Sequence, residues 1–514
     1  MAYLQEFQAK LILGANGIAV PRGGVASSAD EARKVATLLG DKVVVKAQIH
    51  STSRAAAGGI RFASNVDEAV EIATKMLGSE IGGNYVEQVL IDERLAINHE
   101  FYLGFIVDDR KKRPTLLLSE SGGSGIEERA GSMKTLVCSI RHEPTNDELL
   151  HFVSNALGSD ATTSEALAST LLNLYRSAKS CEARTAEINP FVRLDDGCFV
   201  AADARISADD YAVFRHSELD IDIARELGHT PTKLERIAWN IEKEDFRGTF
   251  FFVEILDDAI RNPQSAIRIG FHGGGGGGSM ASLDAAQQNG LAPACYVDTS
   301  GNPPASKVYR AAKIILSIPG IRGYFLSGSG VASQEQFGLA RAVIKAFREV
   351  RPAIPAVLRL GGNGEDYAKK IVEKYAADLP APIEAYQKRH SADFCAARLH
   401  TLIKEFEPQR RQVAQEKAET HTAGNVFSDS YSFSTRTGTI HFDYEVLDVD
   451  SAKLIVDSCP QKILTLSSDS KPVLAISNED AERGKCSECL ACEFASLDLG
   501  LDAVRIDFPI LGFE

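Results

Sequence analysis

Nowhere in the 514 residues is there a stretch of about 18 apolar residues, so no membrane-spanning helix is expected. The opening segment, MAYLQEFQAKLILGANGIAVP, does not read as a secretory signal, because Glu6 and Lys10 interrupt the apolar run that one requires. Long Lys/Arg runs are also missing, and the formal charge is −14. That balance argues against a nucleic-acid partner and disfavours attachment to an anionic membrane surface. Nine cysteines are an odd number in a long chain without a signal, so no disulfide framework is expected and the setting reads as cytoplasmic. Five of them (Cys138, Cys181, Cys198, Cys295, Cys395) are scattered and read as small buried apolar residues. The other four cluster near the C-terminus.

The length exceeds what one hydrophobic core supports, and a content of 44% hydrophobic and 25% charged residues is ordinary for a globular chain. The expected fold class is α/β multidomain. Residues 1–220 alternate helical and strand patterns. LQEFQAKLILGANG reads as a helix ending at a glycine, and KVVVKAQIH, NYVEQVLID, HEFYLGFIV and RPTLLLSES read as strands. SSADEARKVATLLG opens on a Ser/Asp cap. Residues 221–264 are charged and mixed, and read as a linker or small connecting helices. From 265 to 405 the pattern becomes strand, Gly-rich turn, helix, repeated, which predicts an open parallel sheet with ligands at the strand C-termini. A polar segment that reads as a helix plus linker, with the linker over 406–424, leads to a third unit, 425–514, with short strands and the cysteine cluster.

Lys46 ends the strand VVVKAQIH, where a pleat-directed, partly dry ammonium can face phosphates. AEINPFVRLDDGCFVAADARISADD puts Asn189 and Asp203 on successive strands joined by the turn LDDG. Oxygen ligands on adjacent strands suit magnesium, which takes few protein oxygens. Glu187, two residues before Asn189, shares its face of the strand.

LQEFQAKLILGANGIAVP, VVVKAQIHSTSRAAAGGIRF, INHEFYLGFIVDDR and AEINPFVRLDDG resemble the β subunit of succinyl-CoA synthetase, the ATP-grasp half of the ADP- or GDP-forming acyl-CoA ligases. The resemblance spans roughly residues 1–400 and implies an ATP-grasp domain over 1–220. It puts Lys46, Arg54, Asp92 and Glu100 on nucleotide-binding positions, and Asn189 and Asp203 on the magnesium ligands. Glu187 falls on the acidic residue facing the migrating phosphoryl group. It further implies ATP or GTP, Mg2+ and CoA, a small carboxylic acid substrate, and an α-type partner that binds CoA and carries the phosphohistidine. The chain departs from the family at Ser53-Arg54-Ala55-Ala56, where a Gly-Arg-Gly loop followed by Lys is usual, and at Asp92, where Glu is usual.

His272 is followed by Gly273 to Gly278 between an apolar strand and a helix start. Such a turn exposes amides at a helix N-terminus, where a carboxylate or phosphate is favoured. Ser327-Gly328-Ser329-Gly330-Val331 stands in the same relation to its strand. The resemblance makes this domain flavodoxin-like and maps His272, Gly275, Gly330 and Val331 onto the contacts to the acid. His272 replaces an Asn there.

Cys486, Cys489 and Cys492 form C-x-x-C-x-x-C, with Cys459-Pro460 about 27 residues earlier. Three close thiols plus a remote Cys-Pro match ligation of a 4Fe–4S cluster; zinc or free thiols are the alternatives. The last 80 or so residues resemble single-cluster bacterial-type ferredoxins, which implies a small α+β ferredoxin-like domain and a redox partner. The leading functional reading is an acid–thiol ligase subunit with an added cluster domain. The alternatives are a citrate-type relative built from the same modules, and a redox-sensing or scaffolding protein whose nucleotide site has decayed.

Overall fold

The computed structural model describes residues 2–40, 42–50, 54–82, 84–123, 133–221, 229–256, 266–328, 335–416 and 430–513. The chain divides into two compact units, Met1–Pro231 and Thr232–Glu514. None of the described helices is long and apolar enough to cross a membrane.

Among the described residues the N-terminal unit holds two main antiparallel sheets and a two-stranded hairpin, Glu80–Ile81 with Asn84–Tyr85. The larger runs in the order Ala2–Tyr3, Ala204–Ala208, Ala183–Leu194, Ile97–Asp108, Arg113–Ser119, Lys134–Val137, with Phe199–Ala201 paired onto Ala183–Leu194. Its apolar face (Leu103, Phe105, Leu116, Leu118, Ile188, Ile206) packs against Leu149, Val153, Leu167, Leu171 and Leu174, from the helices Asn146–Leu157 and Ala161–Ser180. Ala9 and Leu13 of helix Glu6–Ala15 join the same core. The smaller sheet orders Gly23–Ala26, Val89–Glu93, Val43–Ala47 and Ile60–Ala63. Alternation decides which way its residues point. Val43, Val45 and Ala47 meet Ala32, Ala36, Ala69 and Ala73 of the helices Ala29–Leu39 and Val66–Met76, which leaves Val44 and Lys46 for the opposite face. The expected Ser28 cap is present, its hydroxyl accepting from Glu31 N at 3.3 Å.

In the C-terminal unit five parallel strands, taken in chain order as Ile267–Gly274, Cys295–Asp298, Gly323–Gly328, Ala356–Arg359 and Ile383–Tyr386, lie side by side in the order 2-1-3-4-5. That is the flavodoxin-like winding, whose switch point falls between the first and third strands. Of the two readings of 221–264, linker or small connecting helices, the structure has a helix, and it adds a strand that was not expected. Thr232 caps a helix, Lys233–Glu244, and Phe251–Glu254 extends the sheet antiparallel to Cys295–Asp298. Ile237, Ala238 and Ile241 give that helix an apolar stripe, which the domain core buries. The helix expected at the head of the second linker is present, as helix Ala392–Glu416 runs past 406 and on through Pro408.

The cysteine-bearing segment is not a separate unit. Its sheet of Ser430–Ser434, Thr439–Asp443 and Val504–Asp507 is only three strands wide. Phe433, Ile440, Phe442, Phe494 and Ile506 share one continuous core with the helices Ala305–Ser317, Gln336–Val350 and Glu365–Tyr375. A segment this small buries too little apolar surface by itself, and the neighbouring helices supply the rest. Of the scattered cysteines, Cys138, Cys181, Cys295 and Cys395 are buried as expected, whereas Cys198 sits exposed in the turn after Leu194.

Candidate active site

Six charged side chains meet in the N-terminal unit. Lys46 Nζ donates to Glu6 Oε1 at 2.7 Å and to the carbonyl of Ala202 at 2.9 Å, and lies 3.0 Å from Asp92 Oδ2. Lys10 reaches the same two carboxylates at 2.7 and 2.6 Å. Arg54 donates to Glu6 Oε2 at 2.6 Å and to Asp203 Oδ2 at 2.7 Å. Three cations thus face three carboxylates. Desolvation opposes the charge on Lys46, but Glu6, Asp92 and Asp203 outweigh it and hold the ammonium protonated. Burial likewise opposes the charge on Glu6, and Lys46, Lys10 and Arg54 reverse the balance, holding its carboxyl well below the usual range. Arg54 is kept charged in the same way by Glu6 and Asp203.

Of the six, Asp203 is the most open, with 29% of its side chain exposed. Asn189 N donates to Asp203 O at 3.1 Å, so the two residues sit across one strand pair. Asn189 Oδ1 accepts from Gly123 N at 2.7 Å. Glu187 and Asn189 are both half-buried, between the buried Ala186 and Ile188, as strand alternation requires. Glu187 Oε2 accepts from Tyr102 Oη at 3.1 Å. Gly104, opposite Glu187 in the ladder, makes room for that ring: a Cβ there would lie 3.0 Å from it. Glu100 is on the same face of its strand as Tyr102, with its carboxylate against Gly123.

Lys46, Arg54, Asp203 and Asn189 are therefore brought together, with Glu187 on the strand of Asn189 and Glu100 on the strand paired with it. Asp92 needs correction as a direct nucleotide contact. It is 1% exposed, and its carboxylate is spent on Lys10 and Lys46, so it acts through Lys46. Ser53 lies outside the described residues. Sequence reasoning missed Glu6, Lys10 and Tyr102. The signal for the first two was present: on helix Glu6–Ala15 they fall on the buried stripe with Ala9 and Leu13, where charge is costly unless it is paired.

In the C-terminal unit the glycine run is no linker. Gly273 and Gly274 finish the strand, Gly275 turns at φ +114°, and Gly276 begins helix Gly276–Gln288. Gly273 and Gly274 pair with Ser327 and Gly328, so the two strands end side by side at the switch point. Gly330 and Val331 lie outside the described residues. The Gly275 amide donates to Asp298 Oδ1 at 2.8 Å. His272 is corrected from ligand to scaffold. It is 0% exposed, Nδ1 pairs with Tyr324 Oη at 2.6 Å, and Nε2 pairs with Thr299 Oγ1 at 2.8 Å. Neither nitrogen is left for an acid, and burial lowers its pKa to about 3.

Cys459, Cys486, Cys489 and Cys492 line one largely apolar cavity with Phe433, Ile440 and Ile463. Burial pushes the Cys486 thiol up to about 12 and raises Cys492 well above the thiol range, and the neighbouring cysteines add to both. Among the described residues no three His, Cys, Asp or Glu side chains meet closely enough to hold a metal ion.

The ATP-grasp domain model matches residues 3–193. The GDP-forming succinate–CoA ligase β subunit of Thermus thermophilus is 35% identical over 388 residues, covering 74% of this chain and 96% of that one. The chain belongs to the succinate–CoA ligase β-subunit family. It is thus a subunit of an acid–thiol ligase. A second family member, the ADP-forming β subunit of Methanothermobacter thermautotrophicus, is 31% identical over 384 residues, 74% of this chain and 95% of its own. In fold, the family member described here is similar to ATP citrate lyase from Methanothrix soehngenii (TM-score 0.60, 18% identity, 79% of this chain and 99% of that one).

Proposed function

We propose that the chain is the nucleotide-binding β-type subunit of an ADP- or GDP-forming acyl-CoA ligase that activates a small carboxylic acid. The relatives' names make succinate the first acid to test. The observation that carries this reading is the meeting of Lys46, Arg54, Asn189 and Asp203 around one half-open carboxylate.

A carboxylate is a poor electrophile, and phosphorylation supplies its leaving group. The terminal phosphoryl group passes from the nucleotide to a histidine of an α-type partner subunit, then to the acid as an acyl phosphate. The CoA thiol, losing its proton, displaces inorganic phosphate and forms the thioester. Lys46 and Arg54, held charged by Glu6, take the triphosphate, and Glu187, braced by Tyr102, faces the migrating group. Asn189 and Asp203 are adjacent oxygen donors, a set that suits a cation keeping most of its coordination for phosphate and water, and they would hold magnesium. When bound, it would neutralise charge on the phosphates. The acid would lie at the switch point, between the 275–278 and 327–331 turns.

The four C-terminal cysteines suit a 4Fe–4S cluster in a ferredoxin-like segment, with a redox partner as its natural counterpart. Four thiols lining one largely apolar cavity, three of them spaced C-x-x-C-x-x-C, are the donor type and number that such a cluster takes.

Mixing the chain with a CoA-binding, phosphohistidine-type subunit should give thioester formation that depends on nucleotide, acid and magnesium, whereas the chain alone should give little. Full turnover by the isolated chain would overturn the two-subunit reading. Inactivity of the mixture with ATP and with GTP would overturn the ligase reading.

A further inference from the structure

We propose that Glu488 is the positioning residue of the four-cysteine site, building its loop onto the flavodoxin-like domain independently of any metal. The inference rests on the cluster reading above. Glu488 lies inside the C-x-x-C-x-x-C run and is 1% exposed. Its carboxylate accepts five hydrogen bonds from four residues. Oε2 takes Arg247 Nη2 at 2.6 Å, Ser306 Oγ at 2.6 Å and Thr437 Oγ1 at 2.9 Å, while Oε1 takes Thr437 N at 2.7 Å and Thr435 Oγ1 at 2.8 Å.

These donors come from three separate places in the unit: the 245–248 turn, the start of helix Ala305–Ser317, and the hairpin turn after Ser434. A surface Glu in a cysteine loop needs none of them. Such a donor set fixes the side chain, and with it the backbone of its neighbours, Cys486 and Cys489. The residue pays for the arrangement in conformation, standing at φ +54°, with Leu490 at +62°. Arg341 Nη1 donates to the carbonyl of Cys489 at 3.3 Å, and Lys345 Nζ donates to Glu493 Oε1, next to Cys492, at 2.6 Å. Both cations are on helix Gln336–Val350. Each cysteine of the run thus has an anchored neighbour nearby, and Arg247, Ser306, Arg341 and Lys345 tie these anchors to the α/β domain while Thr435 and Thr437 tie Glu488 to the segment's own hairpin. Groups that orient ligands set the affinity, and, for a redox group, the potential.

The test uses full-length chain purified without oxygen, as wild type, Glu488→Gln and Ser306→Ala. The readouts are iron and acid-labile sulfide per chain, the EPR spectrum after dithionite reduction, the midpoint potential, and the rate at which a chelator strips iron. Near-UV circular dichroism of the iron-free chain reports whether the loop's surroundings stay folded. Wild type should carry about four iron and four sulfide. Glu488→Gln, which sets an amide N–H against donors, should lose at least half of that occupancy or shift the EPR signal and potential. Ser306→Ala removes one hydrogen bond from outside the loop and should keep the cluster but release iron several-fold faster. Iron-free wild type should keep its near-UV spectrum. A wild type without iron and sulfide sinks the cluster reading itself. A clustered wild type whose two variants match it in stoichiometry, spectrum, potential and stripping rate overturns the role given to Glu488. So does iron-free wild type that has lost its near-UV signal.

Discussion

Around Lys46 the N-terminal unit buries three cations against three carboxylates, whereas at the 273–278 turn the C-terminal unit buries a neutral histidine and presents bare backbone. The first arrangement is long-range, joining positions 6, 10, 46, 54, 92 and 203. The second is almost wholly local. A charged site held this way depends on every partner, because removing one leaves its counter-ion desolvated and unpaired. A backbone site depends on the absence of side chains, and its tolerance varies from one glycine to the next.

Substitution at Lys46 should produce the largest effect. Lys46→Met should lower kcat/KM for the nucleotide by roughly 10²–10³ in the two-subunit assay, the scale of a lost charge-stabilising donor. A loss under threefold would take Lys46 out of the site. Glu6→Ala tests the cluster as a structural unit. It leaves three buried cations facing two carboxylates and should cost about 3–5 kcal/mol in urea unfolding. For calibration, Lys75 and Glu71 are also 2.6 Å apart but lie exposed, and Lys75→Ala should cost no more than about 1 kcal/mol. If the two costs were equal, burial would not be what separates them.

His272 sharpens the contrast through pH. Its folded pKa is about 3 and its ordinary value is 6.5, so between these the unfolded chain binds a proton that the folded chain refuses. Stability should therefore fall as pH drops from about 6.5 towards 3. His272→Asn, leaving Tyr324 or Thr299 without its partner, should cost about 1–3 kcal/mol at pH 7 and flatten that acid limb. An unchanged limb would contradict the buried neutral ring. The smallest stability effect is expected at Gly277, where a Cβ meets nothing within 4 Å on the first turn of a helix. Gly277→Ala should leave stability unchanged or raise it by up to about 1 kcal/mol, yet raise the KM for the acid. At Gly273 a Cβ would sit 2.3 Å from Ser279 Oγ and 2.9 Å from the carbonyl of Val297, so Gly273→Ala should destabilise instead.

Legibility followed the same division. The parallel strands and their glycine turns could be read directly, because a Gly-rich break between an apolar strand and a helix is a local signal. Lys46, Glu187, Asn189 and Asp203 were singled out with help from the family resemblance, and the fold sets Lys46 on the carbonyl of Ala202, beside Asp203, with Asn189 across the strand pair. Glu6 and Lys10 could not be placed, although they were visible as charges interrupting an apolar run. Apart from each other, their partners lie 40 to 82 residues away, and only the folded strands bring them near. His272 was misread for the opposite reason: adjacency to the turn in sequence suggested contact with a ligand, while the pleat points its ring into the core. The C-terminal segment looked independent because nothing in its own pattern reveals that the helices of residues 305–375 cover its apolar face.

The account stands most directly on magnesium-dependent nucleotide binding at Asp203. Titration calorimetry of the intact chain with ATP and with GTP, with and without magnesium, should show binding by at least one nucleotide that strengthens at least tenfold with the metal. The gain should disappear in Asp203→Asn. If neither nucleotide bound, or if binding were equally tight without magnesium and in the variant, the convergence of Lys46, Asn189 and Asp203 would not be a triphosphate site.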